Sequence, residues 1–121
     1  MQLVAIEKRI APRVPVQRAA VIASEGAEIA RCVMTDFNEY GARLDVGDET
    51  PPDRFVLIEL GAPVAYSLRV MWRKAPWVGT RFETTWDLDA ADAPASIKQV
   101  RSQALRKDGA ERGIKLVHSR T

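Results

Sequence analysis

The chain predicts an all-β fold, a six-stranded antiparallel β-barrel followed by one C-terminal α-helix. Three observations lead there. Apolar and polar residues alternate with period two through most of 14–83, turn signals recur at short intervals, and the period becomes helical beyond residue 87. Six short strands in an open sheet would leave unpaired edges, which a closed barrel or a compact sandwich removes.

The elements follow in order. VPVQRAAVIA (14–23) and AEIARCVMT (27–35) read as two strands of a hairpin across Glu25–Gly26, because glycine accepts the positive φ that such turns require. A third strand, ARLDV (42–46), puts Ala42, Leu44 and Val46 on one face and Arg43 and Asp45 on the other. The loop GDETPPD follows, and its two prolines exclude a central strand. RFVLIEL (54–60) and VAYSLRVMWR (64–73) form a second hairpin across Gly61–Ala62–Pro63, and VGTRFE (78–83) supplies the last strand after Lys74–Ala75–Pro76–Trp77. In the long strand, Leu68, Val70 and Trp72 are expected on one face, opposite Ser67, Arg69, Met71 and Arg73. In PASIKQVRSQALRK, Ile97, Val100, Ala104 and Leu105 fall on one side at helical spacing, which predicts a helix within 92–107 whose N-terminal turn Asp92 helps to neutralise. Its Lys98, Arg101, Arg106 and Lys107 read as a solvated face, and the glycine-containing stretch 108–121 is expected to fray.

Composition bounds the function. A chain of 121 residues, 46% hydrophobic and 28% charged, fits one domain with one core: an N-terminal arm (1–13), a barrel (14–86), the helix and a flexible tail. No apolar run approaches a membrane span and no signal-peptide pattern opens the chain, so a cytoplasmic location with no membrane partner is expected. One cysteine, Cys32, and one histidine, His118, make neither an internal disulfide nor a Cys/His metal site, and Cys32 reads as core packing. With that histidine in the tail, five scattered serines and the turn carboxylates Asp45/Asp48 and Asp87/Asp89 form no catalytic constellation, so no enzyme activity is expected. Charge is uneven: seven basic and thirteen acidic residues in 19–97, but four basic against one acidic in 1–18 and seven against two in 98–121. An acidic body between basic ends argues against a nucleic-acid polymer as partner and leaves room for a small anion held by an arm.

Two short stretches carry chemistry. RIAPR (9–13) places Arg9 and Arg13 on an arm that Pro12 keeps extended, since proline lacks an N–H and biases Ala11 away from the helical region. Four extended residues span roughly 13 Å, so the two guanidinium groups can converge on one anion or each point to water. DFNEYGARL (36–44) is a turn signal in which Asp and Asn bond their own backbone and Gly41 supplies a conformation closed to other residues.

Taken together, these stretches resemble the PilZ family, whose ligand site joins an R-x-x-x-R arm to a [D/N]-x-S-x-x-G turn at one end of a six-stranded barrel. MWRKAPWVGTRFE is similar to that family's closing hairpin, with Gly79 and Phe82 in its Gly-x-x-Phe ending, so the resemblance covers about residues 8–83. The family's serine is replaced by Asn38; an amide donates and accepts as a hydroxyl does, but is longer and planar. The resemblance implies a cyclic di-GMP receptor of bacterial signalling that acts through an effector protein, or a degenerate module that binds a protein partner without that ligand. Cyclic di-GMP is then the ligand, with no further cofactor. It carries two phosphodiester charges and guanine edges with paired acceptors, which a guanidinium fork engages bidentately and a lysine does not. On this reading Arg9 and Arg13 hold phosphates and guanine edges, Asp36 accepts from guanine N–H groups, Asn38 adds a polar bond, and Gly41 admits a close backbone approach. Trp77, beside the closing turn, is a candidate to stack on a purine or to pack at the barrel rim.

Overall fold

The computed structural model describes residues 14–120, with side chains over 15–107. Strands β1 (Val14–Ser24), β2 (Ala27–Asn38), β3 (Gly41–Asp45), β4 (Arg54–Glu59), β5 (Val64–Lys74) and β6 (Trp77–Asp87) precede helix α1 (Ala95–Arg120). They close into an antiparallel barrel in the order β1-β2-β3-β6-β5-β4, as the alternation predicts. Glu25 and Gly26 both take positive φ, 53° and 80°, which suits a two-residue hairpin turn closed by the Ser24–Ala27 pair.

Two apolar clusters hold the fold. Ile22, Met34, Leu44, Leu57 and Leu68 fill the barrel interior, while Val21, Ala23, Ile58 and Ala65 on its outer side pack against Ile97, Val100 and Ala104 of α1. The run Ala20–Ala23 is apolar without alternation because β1 is buried on both faces there, by the lumen and by the helix.

Four boundaries depart from the sequence reading. Asp36, Phe37 and Asn38 end β2 instead of forming the turn, which shrinks to Glu39 and Tyr40. β6 runs on to Asp87 because Thr84, Thr85 and Trp86 pair with Ser67, Tyr66 and Ala65 beyond a register shift, and β-branched and aromatic residues suit such pairing. The helix begins at Ala95, with the Pro94 carbonyl accepting from the Lys98 N–H, and contains no acidic residue in its first turn, so Asp92 stands outside it. It also continues through 108–120, where fraying is the sequence expectation. Single glycines at 109 and 113 cost roughly 1 kcal/mol each relative to alanine in this stretch.

The basic face of α1 needs one correction. Arg101 donates from Nε to the Glu59 carbonyl (2.9 Å) and from Nη2 to the Leu60 carbonyl (3.1 Å), tying the helix to the end of β4; Arg106 and Lys107 remain exposed. Among the described residues no helix is long and apolar enough to cross a membrane.

Candidate functional site

The β2–β3 turn organises the site. Asn38 Oδ1 accepts from the Tyr40 N–H (2.8 Å) and the Gly41 N–H (3.1 Å), so its carbonyl oxygen caps the two-residue connection. Gly41 has no positive φ; among the described residues only Glu25, Gly26 and Gly47 do. Its necessity is steric: a Cβ there would collide with the Thr80 carbonyl oxygen on β6. Close approach is therefore required, but toward the neighbouring strand. The Phe82 N–H donates to the Tyr40 carbonyl (2.7 Å), and Thr80 Oγ1 donates to the Ala42 carbonyl (2.8 Å), so the turn is bolted to β6.

One residue along, a register shift between Met34 and Asp36 lets Asp36 stand opposite Arg43 of β3. Asp36 Oδ1 accepts from the Arg43 backbone N–H (3.2 Å), and its Oδ2 lies 3.4 Å from Arg43 Nε. The same Nε donates to Thr35 Oγ1 (3.1 Å), and the guanidinium lies over the Trp77 ring, 4.5 Å from its centroid. Trp77 is thus tied to the site through Arg43, whose cation its ring supports.

Trp72 is placed differently from the sequence expectation. A second register shift, between Val70 and Trp72, turns its indole to the outer side, onto Gly79, where an added Cβ would run into the ring. Trp72 is 41% exposed and Met71 51% exposed. Strict alternation counts Trp72 inward, and the sequence signal that corrects it is Gly79 itself, the gap in β6 that admits a ring.

The backbone of β1 reaches the same place. Val14 pairs with Phe37 and Pro15 with Asp36, so the first residues of β1 run alongside the turn motif. Arg13 immediately precedes Val14 in the chain; Arg9 and Arg13 themselves lie outside the described residues. Asp36, Asn38 and Gly41 are brought together, with Arg43, Trp72 and Trp77 beside them on the outer wall.

At the same end of the barrel, Glu59 is 2% exposed and points inward. It accepts from the Tyr66 hydroxyl (2.6 Å), and its other oxygen lies 3.4 Å from Arg18 Nη1, whose guanidinium covers Phe37 at 5.1 Å. Burial raises the Tyr66 pKa, and the hydrogen bond to Glu59 and its charge add to that, so the phenol stays a donor. Burial, and then the charge of Asp45, push the Cys32 thiol up to about 12, which keeps it an unreactive packing residue.

A groove of about 1300 Å³ lies beside this surface, lined by residues of β1 and β2, the β3–β4 and β4–β5 loops, Glu59 and Leu105. It contains none of Asp36, Asn38, Gly41 and Trp77, and it mixes Arg18 and Arg31 with Asp45, Asp48 and Glu49, a poor match for a dianion. Among the described residues no group of His, Cys, Asp or Glu is placed to hold a metal ion. The chain matches no protein-family model, no curated protein and no solved structure.

Proposed function

We propose that this chain is a cyclic di-GMP receptor or adaptor of the PilZ type, acting in the bacterial cytoplasm and passing ligand binding on to an effector protein. One observation carries the reading. The D-x-N-x-x-G turn stands on the outer rim of a six-stranded barrel, and the strand end paired beside it, Val14 and Pro15, is the one that R-x-x-x-R directly precedes in the sequence. Asp36 supplies an acceptor for guanine N–H groups, Asn38 adds a polar bond, Arg9 and Arg13 supply charge for phosphates and forks for guanine edges, and Gly41 keeps the turn flat against β6. Trp72 adds an exposed indole on which a base can stack. Arg43 buttresses Asp36.

Calorimetric titration with cyclic di-GMP, using GTP as control, tests the proposal. Binding is expected for the first ligand alone, and Arg9→Ala or Arg13→Ala should weaken it about tenfold or more, as loss of a bidentate charged contact does. Absence of heat with the unmodified protein rejects it.

A second reading, a module that binds a protein without this ligand, draws on Asn38, whose carbonyl oxygen is committed to its own turn. Asn38→Ser separates the two. On the receptor reading it binds cyclic di-GMP more tightly by about one hydrogen bond, roughly 1 kcal/mol. On the second reading neither form binds.

A further inference from the structure

Across the outer wall, Arg54 on β4 stands opposite Arg69 on β5, and Arg69 stands opposite Arg81 on β6. All three are exposed. Directly opposed residues on one face have Cβ atoms about 5 Å apart, and like charges so placed are destabilising, so a row of three arginines opposes the stability of the sheet that carries it. Arg54 meets a carboxylate, Glu83, at 3.4 Å. Arg69 and Arg81 have no ion pair or side-chain hydrogen bond among the described residues. The row also ends at the turn: a Cβ on Gly41 would stand 3.3 Å from the Arg81 Cα, so Arg81 adjoins the strand that begins at that glycine.

We infer that Arg81 and Arg69 extend the binding site across β6 and β5, holding the phosphodiester groups of a cyclic dinucleotide on the side of the turn away from β1. The inference rests on the receptor reading above and adds residues that the turn and arm motifs do not include. Neighbouring strands are about 4.8 Å apart, so a ligand seated on the Asn38–Gly41 turn has Arg81 beside it and Arg69 one strand further. A guanidinium fork is suited to two phosphate oxygens at once. An anion between them removes the mutual repulsion of the row. The acidic balance of 19–97 disfavours a long polyanion on the same wall, which points to a compact ligand.

The experiment is titration of the full chain with cyclic di-GMP for Arg81→Ala, Arg69→Ala, Arg54→Ala and the helix control Arg106→Ala, with urea unfolding of each variant. Expected are an about tenfold loss for Arg81→Ala, a several-fold loss for Arg69→Ala, and changes within about twofold for Arg54→Ala and Arg106→Ala. Unfolding midpoints of the Arg69 and Arg81 variants should stay level or rise, since removing either relieves like-charge contact. If the unmodified protein binds and the Arg69 and Arg81 variants bind equally well, this inference fails while the receptor reading stands. Equal losses in all four variants show diffuse electrostatics and overturn it. An unmodified protein that does not bind rejects both readings, and preference for an oligothymidylate over cyclic di-GMP replaces this one with strand binding.

Discussion

The barrel has two contrasting outer walls. On one, Val21, Ala23, Ile58 and Ala65 are covered by α1; on the other, Arg43, Arg69, Trp72 and Arg81 face solvent. Both walls belong to the same closed sheet and continue the same pleat, so backbone geometry does not distinguish them. Side-chain chemistry does. The covered wall excludes water and contributes to stability, whereas the bare wall carries a like-charged row and an exposed indole that stability alone does not call for. Stability thereby falls to the covered outer wall, and the proposed recognition to the bare one.

The contrast yields predictions of decreasing size. Ile58→Ala on the covered wall leaves a cavity between sheet and helix and should cost about 2–5 kcal/mol in urea unfolding. A cost comparable to that of Arg81→Ala would mean that α1 does not form the second core. Gly41→Ala should cost about 1–3 kcal/mol, because the colliding neighbour is the backbone carbonyl of Thr80 and has little room to give. Gly79→Ala meets only the side chain of Trp72, which can swing away, so its cost should be smaller and accompanied by a fluorescence change that Trp72→Phe abolishes.

Arg101→Ala removes two hydrogen bonds to the carbonyls of Glu59 and Leu60 and should cost about 1–2 kcal/mol, against nearly nothing for Arg106→Ala on the same helix. Equal effects would return Arg101 to the solvated face. The interior gives a pH signature. Cys32 has a folded pKa raised from 9.0 to about 12, so its contribution to stability is complete below pH 9 and is lost as pH rises from there toward 12. Unfolding followed at increasing pH should show a decline above pH 9, at most about 1.4 kcal/mol per unit from this group, that Cys32→Ala reduces. An unaltered decline in that variant would assign the alkaline loss to other groups such as Tyr66.

The sequence by itself determined the strand count, the hairpins and the helix, because period-two alternation and Gly- or Pro-marked turns are local properties that survive closure of the sheet. It also picked out Asp36, Asn38 and Gly41, which are close in space because they are close in the chain. Arg9 and Arg13 were legible only as a motif before the first strand. Tertiary structure alone decided what depends on pairing between distant strands. A register shift turned Trp72 outward against the alternation, because one extra residue in a strand reverses every side chain beyond it until the ladder recovers. Arg54, Arg69 and Arg81 are scattered through 28 positions of sequence, and only the registers of β4, β5 and β6 align them. Arg101 reads as a surface charge from helical periodicity and becomes a strut because the end of β4 presents two carbonyls to it. Periodicity states which side of an element a residue occupies, and only the packed neighbour determines what that side meets.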